Sequence, residues 1–100
     1  YEGYAADPAL VARYARAMTL GLQGQLVAGR PLDPLRVAAT AKHFLADGGT
    51  ADGRDQGDAR ISEAELIAKH AQGYPPAIDA GALTVMASFS SWNGVKHHGN

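Results

Sequence analysis

Apolar residues recur at helical spacing near the start of the chain. Leu10, Val11, Tyr14, Met18 and Leu22 fall on one face, behind Asp7 as an N-cap and Pro8 at the first helical position. The pattern predicts a helix that weakens over Gly21 to Gly24 and stops by "AGRPLDP", where Gly29, Pro31 and Pro34 punctuate a connection. The next stretch, "LRVAATAKHFLAD", supports two readings. Its alanines and leucines favour helix, with Lys42 solvated and His43 half-buried. The run Val37 to Phe44, bounded by Pro34 and "DGGTADG", equally has the length of a short strand buried on both faces.

Residues 47 to 60 are polar and glycine-rich, and predict a loop carrying Asp47, Asp52, Asp55 and Asp58 as solvated groups. A calcium loop starting at Asp47 would need oxygen ligands where Gly49 and Ala51 stand, so no metal is assigned here. "ISEAEL" then opens a helix with a capping box. Ser62 reaches the Glu65 amide, Glu65 reaches back, and Ile61 is placed to staple onto Leu66. Gly73 predicts a break, and Pro75 and Pro76 start a second helical piece through Ile78 that ends at Gly81. "ALTVMASF", residues 82 to 89, is β-branched and apolar enough for a buried strand, and "SSWNG" after it is turn chemistry. Helix and strand alternating with short connections predict a parallel α/β architecture, in which ligand groups gather at the C-terminal ends of strands. Lys42 and His43, and the cluster Ser88 to Asn93, would both fall at such ends.

Composition narrows the function classes. The chain has 46% apolar and 19% charged residues and a formal charge of -1, ordinary for a globular domain. Without a basic stripe interleaved with aromatics, it lacks the footprint of a nucleic-acid binder. It has no cysteine, hence no disulfide framework, thiolate metal site or cysteine nucleophile. No apolar run approaches the roughly 20 residues of a membrane helix, so no membrane partner is expected. The opening "YEGYAADP" carries no initiator Met or signal segment, and reads as an interior stretch of a longer protein.

The chemistry on offer is that of binding. Lys42 supplies three donors on a positive charge, while His43 donates from one ring nitrogen and accepts at the other, which together suit a polyhydroxylated ligand. On a strand, neighbours point to opposite faces, so both reach one ligand only where the strand ends or kinks between them. Phe89, Trp92 and Asn93 form a second group, readable as core packing or as an aromatic sugar platform. His70, His97 and His98 lack zinc spacing, and Ser88, Ser90 and Ser91 lack a Gly-x-Ser-x-Gly elbow. No pair of carboxylates stands out as catalytic.

Taken in order, "KHF" before "DGGT", then "SEAEL", then "VMASFSSWNG" resembles the N-terminal barrel of glycoside hydrolase family 3, in particular the bacterial exo-acting β-glucosidases and glucan exohydrolases. The likeness covers essentially the whole chain. It implies part of a (β/α)8 TIM-type barrel over residues 1 to 100, with the rest of the barrel and a second domain elsewhere. It also implies that Lys42 and His43 bind hydroxyls of the innermost glucosyl unit, with a cis peptide near residues 42 to 45. Phe89 would line the site, and Trp92 and Asn93 would shape the strand-end turn. The family's retaining mechanism uses an aspartate nucleophile and a glutamate acid/base. The resemblance places neither in this chain, so the isolated 100 residues are expected to be inactive. With strand edges unpaired, they are also expected to be poorly stable alone.

One departure lies inside the motif: several relatives have a tyrosine in "SYSSWNG" where this chain has Phe89, so a hydroxyl near the nucleophile is missing. Another separates branches, since β-N-acetylglucosaminidases carry "KHFPGHG" and this chain reads "KHFLADGG". The expected function is hydrolysis of terminal non-reducing β-D-glucosyl residues from β-glucans or cello-oligosaccharides, in the periplasm or outside the cell, without a cofactor. The alternatives are a non-catalytic carbohydrate-binding relative, or a β-xylosidase or β-N-acetylglucosaminidase of the same family.

Overall fold

The computed structural model describes residues 3–100; Tyr1 and Glu2, which open "YEGYAADP", lie outside the described residues. In chain order its elements are helix α1 (Pro8–Gln23), strand β1 (Thr40–Phe44), strand β2 (Asp58–Ala59), helix α2 (Glu63–Glu65), helix α3 (Tyr74–Asp79) and strands β3 (Thr84–Ala87), β4 (Ser91–Trp92) and β5 (Val95–Lys96). The architecture is α/β. Strands β1 and β3 pair in parallel, and the helical segments between them make the crossover that parallel neighbours require. A second, smaller sheet has the order β2-β4-β5, with β2 parallel to β4 and β4 antiparallel to β5.

Helix α1 starts as its sequence dictates, with the Asp7 carboxylate accepting from the Ala9 amide at 2.9 Å. Its buried residues, however, are Thr19 and Gln23. The expected apolar stripe is displaced: Tyr14, Met18 and Leu22 stay exposed. Val11, Met18 and Leu22 border an open cavity instead of a closed core. Gln23 occupies the interior because both polar atoms of its amide are hydrogen-bonded. Its Nε2 donates to the Gly81 carbonyl (2.8 Å), and its Oε1 accepts from the amides of Ala39 (2.8 Å) and Leu83 (3.2 Å). One side chain thereby ties the entries of β1 and β3 together, and satisfies backbone groups that are costly to bury unpaired.

The stretch with two readings forms a strand, not a helix, but only over Thr40–Phe44 and without the expected burial on both faces, since Thr40, Lys42 and Phe44 are exposed; its partner is β3. Strand β3 forms within the predicted "ALTVMASF", but its expected burial does not follow: all four residues are exposed, Val85 at 46% and Met86 at 50%. Among the described residues β3 has one hydrogen-bonded neighbour, so apolar content is not converted into burial. The core gathers instead beyond the end of β1. Leu45, Ala46, Ala59 and Leu66 are buried there, with Ile61, Ala71, Tyr74 and Trp92 packed against them.

The capping box forms at Ser62, whose hydroxyl accepts from the Glu65 amide at 3.2 Å. Lys69, and to a lesser degree the Ser62 amide, hold the Glu65 carboxyl below its ordinary range. The helix is shorter than predicted: after α2 the chain widens into a π-helical turn over Leu66–His70, closed by the Ala71 amide on the Leu66 carbonyl at 3.1 Å. Helix α3 carries Pro75 and Pro76 in its first turn and is followed by Gly81 at φ 97°, a conformation suited to glycine.

Candidate functional site

The end of β1 carries the Lys-His pair. The Lys42–His43 and Phe44–Leu45 peptide bonds are both cis, in the interval where one was expected, and the register with β3 slips between Ala41 and Phe44. Lys42 and His43 both line an open cavity of about 980 Å³, with Val11, Met18, Asp47 and Tyr74 also on its walls. Two neighbouring residues of one strand border the same space.

His43 is held from behind. Its Nδ1 lies 3.0 Å from Asp47 Oδ2, and Asp47 Oδ1 accepts from the Ser88 hydroxyl at 3.4 Å. Ser88 is fully buried, shares a 2.6 Å hydrogen bond with the Ser90 hydroxyl and accepts from the Ser90 amide at 3.2 Å. The chain Ser90–Ser88–Asp47–His43 joins the segment after β3 to the end of β1. Asp47 is therefore not the solvated loop group its composition suggested. Ala46, in the left-handed region at φ 60°, turns the chain so that Asp47 comes back to His43.

Two further side chains stand beside this pair. Burial first, and the charge of Asp47 second, push the Tyr74 phenol up to about 12, so it is neutral at ordinary pH; its ring meets Phe44 edge to face at 4.9 Å. Burial, with Lys69 adding to it, pushes the His70 imidazole down, favouring the neutral ring. That ring lies over Gly49, where a Cβ would come within 2.6 Å of His70 Cε1, so the approach requires glycine or a shift of the ring.

The second expected group is used differently. Trp92 Nε1 and Asn93 Nδ2 both donate to the Ile61 carbonyl, at 2.8 and 2.9 Å. Asn93 and Gly94, at φ 48° and 86°, form the tight turn between β4 and β5. Asp58, also read as a solvated loop residue, anchors that turn: its Oδ1 accepts from the Ser91 hydroxyl and the Gly94 amide, each at 2.9 Å. The Gly94 amide chiefly, then the Ser91 hydroxyl, hold the Asp58 carboxyl below its ordinary range. Phe89 is 63% exposed and lies outside the walls of the cavity; the Lys96 ammonium sits 5.1 Å from its ring centroid and His98 meets its edge at 6.0 Å. Among the described residues no group of three or more His, Asp or Glu converges as a metal site.

Over residues 1–100 the chain matches the glycosyl hydrolase family 3 N terminal domain. It belongs to that family. Among solved structures, the exo-1,3/1,4-β-glucanase of a Pseudoalteromonas species is similar over 97% of this chain, at 47% identity and a TM-score of 0.87. Among curated relatives, a periplasmic β-glucosidase of Salmonella typhimurium is 29% identical over 93% of the chain. A probable exo-1,4-β-xylosidase of Aspergillus clavatus is 34% identical over 89% of it. The chain spans 12% of the length of each of these three relatives.

Within this glycoside hydrolase family 3 chain, Asp47 and Ser88 are the residues at the Lys-His site that sequence reasoning missed. The spacing His43 to Asp47 was visible, but Ser88 lies forty-one residues further on, and its contact with Asp47 depends on the parallel pairing of β1 with β3. No helix is long and apolar enough to cross a membrane, among the described residues.

Proposed function

We propose that the chain is part of the N-terminal (β/α)8 barrel of a retaining, exo-acting β-glucosidase, in which Lys42 and His43 grip hydroxyls of the terminal glucosyl unit. The observation that carries this reading is that both side chains line one cavity at the end of a parallel strand, with His43 braced by Asp47. A helical crossover between parallel strands supports the barrel, because that unit repeats around such a fold. The exo-glucanase and periplasmic β-glucosidase among its relatives support a β-glucoside or β-glucan oligosaccharide as substrate and a periplasmic or secreted location.

In this reading Lys42 donates to sugar oxygens and His43 takes the complementary part, while the nucleophile and acid/base carboxylates come from other parts of the enzyme. Phe89, which stands outside the cavity that Lys42 and His43 border, offers its exposed ring to a part of the substrate beyond it, and Trp92 and Asn93 keep the adjacent turn in shape. A β-xylosidase is the second reading, favoured by the Aspergillus relative.

The test is hydrolysis of p-nitrophenyl β-glucoside and β-xyloside by the parent enzyme, with and without Lys42→Ala and His43→Ala. Faster turnover of the glucoside, with each variant losing at least about a hundred-fold in kcat/KM, is the expected result. A preference for the xyloside selects the second reading. Variants with wild-type activity would remove Lys42 and His43 from the substrate.

A further inference from the structure

We infer that Asp47 is a positioning residue that sets which ring nitrogen of His43 meets the sugar. The inference rests on the reading of His43 as a sugar ligand, and it goes beyond that reading by assigning the proton.

A neutral imidazole carries one N–H and one lone pair, and the group that faces one nitrogen decides the state of the other. The Asp47 carboxylate faces Nδ1 at 3.0 Å. A carboxylate accepts and does not donate, so Nδ1 holds a proton and, in the neutral ring, Nε2 presents the lone pair. His43 then acts as an acceptor on the cavity wall that it shares with Lys42, a donor. Such a pair is matched to hydroxyls, which donate and accept at once. With the proton on Nε2 instead, two donors would stand side by side, and a hydroxyl proton would be left without its acceptor.

Asp47 is suited to this task because it is itself fixed. Its second oxygen accepts from Ser88, a fully buried hydroxyl bonded in turn to Ser90. The neighbouring Tyr74 phenol, neutral at ordinary pH, places no competing charge beside the carboxylate. A carboxylate held on both oxygens orients a ring better than a free one, as with the outer groups that orient ligating histidines elsewhere.

The experiment is a double-mutant cycle on the parent enzyme, with kcat/KM for p-nitrophenyl β-glucoside as the readout. Asp47→Ala and Asp47→Asn are each made in the wild-type and His43→Ala backgrounds. Acting through His43, Asp47→Ala lowers kcat/KM about ten-fold or more in the wild type and less than about two-fold in His43→Ala. Asp47→Asn, which keeps an acceptor oxygen and the shape, retains more activity than Asp47→Ala and keeps the cycle readable where the alanine variant does not fold.

Equal losses in both backgrounds would make Asp47 structural and overturn the inference, as would full activity of both Asp47 variants. If His43→Ala alone retains wild-type activity, the sugar-ligand reading fails and the inference falls with it. That outcome differs from one in which His43 matters and Asp47 does not.

Discussion

Two strand ends in this molecule look alike in sequence and behave differently. Each puts a nitrogen donor pair beside a glycine-containing turn, Lys42-His43 before Gly48 and Trp92-Asn93 before Gly94. At β4, Trp92 and Asn93 both spend a nitrogen on the Ile61 carbonyl, and Asp58 ties down the turn that follows. At β1, the Asp47 carboxylate engages one nitrogen of His43, and the pair borders an open cavity. The locking end at β4 and the proposed binding end at β1 therefore differ in where their pairs stand, one spent on a turn and the other on a cavity wall. A group satisfied inside the protein gains little from a ligand.

The comparison can be broken first at the framework that β1 shares with β3. Gln23→Ala leaves two amides and a carbonyl without their side-chain partner at the entries of both strands. The expected cost is about 3 kcal/mol, at roughly 1 to 3 for each buried group left unpaired. It is read as faster hydrogen exchange at Ala39 and Leu83 in the parent enzyme. Unchanged exchange at both amides would show that the strand ends do not depend on Gln23.

A smaller effect is expected at the locking end. Trp92→Phe removes the indole donor, but the Ile61 carbonyl keeps its bond from Asn93, so no acceptor is orphaned. The loss of stability is about 1 kcal/mol, with kcat/KM changed less than about two-fold. A ten-fold loss of activity without loss of stability would put the indole against the substrate and erase the distinction.

The smallest effect is confined to acid. The folded Asp58 carboxyl is held below its ordinary value of 3.8, so its contribution is complete above that value and is lost as pH falls through the lower, folded one. Peptic cleavage within residues 54 to 60 should increase as pH falls from about 4 to about 2. In Asp58→Asn the segment should be cut at a rate that no longer tracks that titration. A variant with the wild-type acid profile would release Asp58 from its anchoring role.

Local chemistry by itself determined much of this chain. The Asp7 cap with Pro8, the Ser62 capping box, the Pro75-Pro76 start and the Gly81 stop each act through atoms a few residues apart, so their helices were legible in one dimension. The ordered motifs from "KHF" to "SSWNG" likewise carried the family. Tertiary structure alone decided that Thr40–Phe44 is a strand, because its alanines favour helix and only pairing with β3 settles the matter. It also decided that Gln23 is buried while Leu22 is not, since the partners of Gln23 lie up to 60 residues away. The same holds for Asp47 and Asp58, which composition assigned to solvent and the fold assigned to Ser88, Ser91 and Gly94. Caps and turns are short-range contacts that a sequence displays, whereas the partner of a buried polar group is fixed only when distant segments meet.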